Sequence, residues 1–293
     1  MLIFSSMKAF LECIPCILRQ AIQILKSNVK SPRKREQIIK AMLRCLEKID
    51  VFKLTPPEAT KFAHDEMKKL VGKEDLYAKE KDESNKEALS LYPRLKRMVQ
   101  KAKDPLNMAL RLSIAGNIID YGAHSEFCVH SAIESVIDRK FAIDNYQEFT
   151  RRLRKAKQIL YVGDNAGEIV FDKLLVQELK KYAEVVFAVK SKPALNDVLM
   201  KDAKFVGMDK LCKVIKSGSD NAGTILSQTT KEFKKVYNAA DFVIAKGQGN
   251  LETLIDNKKP IFYLLMMKCV FLGEIYGVKK GDIILSYGIK KKT

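Results

Sequence analysis

Four short clusters in the second half of this chain combine carboxylates, amides, lysines and glycines: residues 163–168, 190–197, 217–224 and 246–252. That mixture suits phosphate bound around a hard cation. Mg2+ and Mn2+ take oxygen ligands, usually one or two carboxylates completed by water and substrate phosphate. Glycines let backbone N–H groups approach phosphate oxygens, and helix amino termini favour negative charge. A lysine adds a point charge for a phosphoryl group. One such turn alone means little, because Asp, Asn and Gly are what βα turns use anyway. Four in register carry the functional reading. None of the four contains His or Cys, so the ligand set is oxygen-rich.

The first and third clusters, GDNAGE and SDNAGT, are near-copies, and only one need hold a metal. Asp164 and Asn165 are the preferred pair, since Glu168 follows them at the start of a helix. Asp220, flanked by Ser217, Ser219 and Thr224, suits hydroxyl and amide contacts with a substrate.

Each cluster follows a short apolar run. Four runs start at Gln158, Glu184, Cys212 and Asp241, 26 to 29 residues apart. That is the length of one strand plus one crossover helix. A fifth begins at Pro260. Their continuous apolar character fits strands buried on both faces. The expected α/β domain, residues 155–293, is a doubly wound, mostly parallel, Rossmann-like sheet in three α/β/α layers. Its ligands should bind outside the carboxyl ends of the strands. Residues 7–150 read instead as an all-helical domain. Apolar positions recur at helical spacing in Ile17, Ala21, Ile24, Leu25 and in Ile38, Met42, Leu43, Leu46. Ser31 and Thr55 each precede a proline, as helix caps do. Residues 73–86 are highly charged without an apolar stripe, which predicts a loop or connector.

A 293-residue chain with 47% hydrophobic residues has ample material for a core. It contains no apolar run of about 18 residues, the length needed to cross a membrane. Lys8 and Glu12 interrupt the early apolar residues, so no secretory signal and a cytoplasmic location are expected. In that compartment the 6 cysteines read as thiols or ligands rather than disulfides. The net charge of +18 predicts attraction to an anion. A second reading is a non-catalytic nucleic-acid-binding protein that uses this basic surface. The basic residues are scattered and aromatics are only 8%, so nucleic acid is not the expected partner. Carboxylates at 164, 168 and 197 would also repel a polyanion.

The ordered set MKxxxECxPCxxRQ, AGNxIDYG, GDNAGE, KxKPxxND, GSDxxGT and KGxGNxE, running from Met7 to Glu252, resembles the damage-control phosphatase family in its archaeal and bacterial branch. The resemblance implies a helical region joined to an α/β domain, a divalent metal ion (Mn2+, Mg2+, Co2+ or Ni2+), and hydrolysis of small phosphorylated metabolites. It implies metal ligation by Asp164, Asn165 and Asp197, and substrate contact near Glu168. It assigns site roles to Lys246 and Asn250, and to Asn117 and Asp120 in the helical half. The last pair also interrupts an apolar helix with an unusually polar stretch. The implied mechanism is metal-assisted hydrolysis, with Lys246 and backbone amides neutralising phosphoryl charge. Water is the simplest nucleophile, with Asp197 or Glu168 as base. An aspartyl-phosphate on Asp164 is the alternative.

Other signals carry less. Cys13 and Cys16 form a lone CxxC, and a zinc site would need two more ligands from His124, Cys128 and His130. His64, with no partner nearby in sequence, reads as a surface residue. The glycines at 247 and 249 lack the third glycine of a dinucleotide fingerprint. A phosphatase of the haloacid dehalogenase type needs an acid two residues after its nucleophile, where Ala166 stands.

Overall fold

The computed structural model of the protein describes residues 7–116 and 133–289. Five helices come first: α1 (Cys13–Asn28), α2 (Pro32–Glu47), α3 (Pro56–Val71), α4 (Ala78–Lys101) and α5 (Pro105–Gly116). Caps expected from the sequence start two of them. The Ser31 hydroxyl accepts from Lys34 N–H, and Thr55 with Glu58 forms a reciprocal capping box.

Alternating elements follow: β1 (Ile143–Asp144), α6 (Tyr146–Leu153), β2 (Gln158–Val162), α7 (Glu168–Leu179), β3 (Glu184–Val189), α8 (Met200–Phe205), β4 (Lys213–Lys216), α9 (Lys231–Ala239), β5 (Phe242–Lys246), α10 (Gly247–Leu254), β6 (Ile261–Met266), α11 (Val270–Tyr276) and β7 (Ile283–Tyr287). The sheet has seven strands in the order β1-β7-β6-β5-β2-β3-β4. All neighbours are parallel except β6 and β7. The chain order reverses direction between β2 and β5, and a crevice opens where the following turns diverge.

Successive residues of β2 separate two cores. Ile159 and Tyr161 join a cluster with α4, α5 and α7, whereas Leu160 and Val162 join one with α9, α10 and α11. A third cluster lies among α1, α2 and α3 around Ala21, Met42, Ala63 and Met67. The helical half thus divides. Its first three helices have their own core, while α4 and α5 cover one face of the sheet. Ile143 and Asp144 lie within the span expected to be all-helical, yet they pair with β7.

The charged stretch 73–86 is not a loop throughout, because α4 begins at Ala78. The first two turns of α4 bury polar rather than apolar side chains. Lys81 is buried with its ammonium 2.6 Å from Asp75, and Asn85 is buried between two partners. His64 is buried rather than exposed, stacked on Tyr77, and burial pushes its imidazole down to about 3.

Candidate active site

The turns after β2 and β3 are joined through their backbones. Val198 N–H donates to Asp164 C=O over 2.8 Å, Ala166 N–H donates to Asn196 C=O over 3.0 Å, and Asn165 bridges Asp197 in antiparallel fashion. This zipper sets Asp164, Asn165 and Asp197 side by side, all buried. Leu195 has a φ of 47°, a left-handed conformation that costs about 1–2 kcal/mol for a residue with a side chain. Its side chain packs on the helical core of α1–α3, which offsets that cost and anchors the turn carrying Asp197.

The Asn165 amide donates to Asp164 Oδ2 (3.0 Å) and to Glu168 Oε2 (3.2 Å), which turns its oxygen to the opposite side. Lys190 Nζ donates to Gly223 C=O and lies 3.4 Å from Asp197 Oδ2. Asn85 reaches in from α4: its oxygen accepts from Gly167 N–H, and its amide donates to Asp202. The helical half therefore holds the turn that starts α7.

Lys246 is fully buried and uses all three ammonium protons within the protein. They go to Glu168 Oε1 (2.6 Å), Asp172 Oδ1 (2.7 Å) and Ser113 C=O (2.9 Å). Burial works against its charge, but Asp172 and Glu168 outweigh it and hold the ammonium above its usual range. Asp172 Oδ1 also accepts from the Ser113 and Tyr161 hydroxyls. The expectation that Lys246 contacts a phosphoryl group is corrected by this arrangement: it stands behind the site and clamps Glu168.

In front of Asp164, Asn165 and Asp197 lies a cavity of about 320 Å³. Its walls come from Phe10, Cys13 and Gln20 of the N-terminal region, Pro57 and Thr60 of α3, and Gln248, Gly249 and Glu252 of α10. Gly247 has a φ of 76°, and a Cβ there would sit 1.9 Å from Asp164 Oδ2, so only glycine lets this carboxylate rest on the start of α10. Glu252 was not singled out by sequence. Burial pushes its carboxyl up to about 7, with a hydrogen bond from Gln248 pulling the other way.

The remaining expected residues fall elsewhere. Asn250 is a buried brace, donating to the Gly163 and Lys246 carbonyls and accepting from Thr224. Asp220 pairs with Lys61 at 3.2 Å, lining a narrow neighbouring space rather than the cavity. Ser217 is buried and outside the lining. Glu168 lines a small space beneath α4. Asn117 and Asp120, with His124, Cys128 and His130, lie outside the described residues. Cys13 and Cys16 do reach the cavity, joined by Cys269, but no group of three metal-binding His, Cys, Asp or Glu side chains occurs among the described residues. Burial pushes the Cys13 thiol up to about 11, which leaves it un-ionised near neutral pH.

The donor set nonetheless suits a hard cation. Asp164, Glu168, Asp172 and Asp197 are four buried carboxylates, against the two buried ammonium groups of Lys190 and Lys246. Lys268 at the cavity rim narrows that charge deficit without closing it.

Residues 9–284 match the damage-control phosphatase ARMT1-like domain. An uncharacterized protein of Methanocaldococcus jannaschii is 36% identical over 290 residues, spanning 96% of this chain and 95% of the relative. A damage-control phosphatase of Pyrococcus horikoshii is 33% identical over 284 residues, spanning 95% and 97%. The crystal structure of a DUF89 family protein from Pyrococcus horikoshii superposes with a TM-score of 0.89 at 31% identity, covering 96% of this chain and 99% of that one. The chain therefore belongs to the ARMT1-like damage-control phosphatase family.

Proposed function

We propose that this protein is a metal-dependent phosphatase that hydrolyses phosphomonoesters of small metabolites. The observation that carries this reading is the trio Asp164, Asn165 and Asp197, brought together at the floor of a cavity of about 320 Å³. That size is at the small end of ligand pockets. The trio would hold the cation (Mn2+, Mg2+, Co2+ or Ni2+), the excess of buried carboxylate favouring its entry. When bound, such a cation supplies positive charge against the phosphoryl oxygens.

The chain's own residues divide the remaining work. Lys190, 3.4 Å from Asp197 Oδ2, holds that side chain beside the cavity, where this carboxylate takes a proton from the attacking water. Glu168, held by Lys246, orients the Asn165 amide rather than acting as base. Phe10, Ile17 and Leu272 in the lining exclude bulk water. A nucleic-acid-binding role finds no support in a carboxylate-floored cavity.

The test is phosphate release from a panel of sugar phosphates, with Mn2+ and with excess chelator. Release that requires the metal is expected. No release from any phosphomonoester would end the phosphatase reading, and undiminished release by metal-free protein would end the metal dependence.

A further inference from the structure

Glu252 lines the same cavity as Asp164, Asn165 and Asp197, yet the chemistry above makes no use of it. Its carboxyl is held in one orientation. Gln248, one turn earlier on α10, donates its amide N–H to Glu252 Oε1 over 2.8 Å. The Gln248 oxygen is itself fixed, accepting from Lys268 N–H (3.2 Å) and Cys269 N–H (3.1 Å). With that amide locked, Oε2 is the oxygen left to carry a proton.

Position along the helix adds a second argument. The Asp164 carboxylate abuts Gly247 at the start of α10. Glu252 follows five residues later, about 7.5 Å along the axis at about 1.5 Å per residue. A phosphoryl group seated over Asp164 would have its ester oxygen between the two carboxyls. The titratable groups that share this cavity with Glu252 are Glu12 just before α1, Cys13 and Cys16 on α1, and Lys268 and Cys269 after β6, and Cys13, Cys16 and Tyr276 on α11 lie close enough to feel its charge.

We propose that Glu252 is the proton donor to the leaving oxygen of the phosphomonoester. The proposal rests on the phosphatase reading. As the P–O bond to the leaving group breaks, its electron pair stays on that oxygen, which takes the Glu252 proton and departs as an alcohol. The new P–O bond comes from water, whose proton passes to Asp197 and then to solvent. Glu252 regains a proton from solvent before the next turnover. Burial has already placed its carboxyl near neutrality, where a general acid works best.

The test compares an alkyl phosphate, whose poor leaving group needs a proton, with p-nitrophenyl phosphate, whose leaving group departs without one. Glu252→Gln should lower kcat on the alkyl ester by about 100-fold or more relative to its effect on the aryl ester. The wild-type alkyl rate should fall as pH rises past about 7 while the aryl rate lacks that limb, a measurement that needs no variant. Equal loss on both esters in Glu252→Gln, or matching wild-type profiles, would overturn the proton-donor role while leaving the phosphatase reading intact. Wild-type protein inactive on both esters would end both.

Discussion

Two glycines with nearly the same positive φ separate local strain from damage at the site. Gly247 and Gly72 have φ of 76° and 78°. Alanine in that region costs about 1 kcal/mol at either position. For a chain of this length that lowers the melting temperature by roughly 2–4 °C. At Gly72 an added Cβ meets nothing within 4 Å. At Gly247 it would stand 1.9 Å from Asp164 Oδ2 and 2.3 Å from Cγ, where real Cβ contacts stay above 3.0 Å. The carboxylate must therefore move by more than about 1 Å, a misplacement that can cost about 100-fold in rate. Phosphate release with Mn2+, measured beside thermal melts, should show both variants slightly destabilised and only Gly247→Ala deeply impaired. If Gly247→Ala matched Gly72→Ala in rate, the position of Asp164 would not matter and the reasoning would fail.

Asp164→Ala should abolish metal-stimulated activity with melting unchanged or raised, since it removes one of several crowded buried carboxylates; Asp220→Ala should be mild, losing only a part-exposed pair worth about 1 kcal/mol or less. The reverse order of effects on metal binding by calorimetry would mean that the other copy of the motif holds the cation. Lys246→Met should cost about 3–5 kcal/mol in denaturant melts, because Glu168 and Asp172 would be left buried without their shared cation. A variant as stable as wild type would refute the clamp. Replacing Cys13 and Cys16 together by serine should keep most activity, and zinc found in wild-type protein but lost from this variant would contradict that. Glu252 should also mark the stability profile. Its folded carboxyl, raised from 4.5 to about 7, favours folding fully below about pH 4.5 and loses that contribution as pH rises through 7, an effect of about 3 kcal/mol. Glu252→Gln should flatten that fall in thermal melts between pH 5 and 8, and an unchanged slope would count against the buried carboxyl as its source.

The five apolar runs were legible because parallel strands buried on both faces leave a dense β-branched signature, and each appears within a residue of its expected start. Ile143–Asp144 offered no such signal. Two residues have no period, and only pairing with β7 makes them a strand. The start of α4 was misread for a different reason: its inward face carries Lys81 and Asn85, whose burial depends on Asp75, Gly167 and Asp202 rather than on apolarity. A charged segment looks solvated until its partners are known.

The site was legible by residue type but not by depth. Asp164, Asn165, Asp197, Glu168, Lys246 and Asn250 all sit in turns that the sequence marks, yet only the first three line the cavity. One signal for the deeper layer was present. Asp172 follows Glu168 by four residues in a stretch, 169–176, that is apolar apart from Asp172 and Lys173, so both acids share a helix face turned toward buried groups. Two acids on a buried face require a cation between them, and Lys246 is that cation. A lysine with all three protons committed cannot also bind a phosphoryl oxygen without releasing one of them. The same motif that was expected to supply a phosphate ligand thus supplies a brace. Six residues later it supplies Glu252, which lies beside Cys13 and Cys16 although these are far away in sequence. What a motif cannot reveal is which of its side chains another segment will desolvate, and that desolvation separates a spectator acid from one poised to give up a proton at neutral pH.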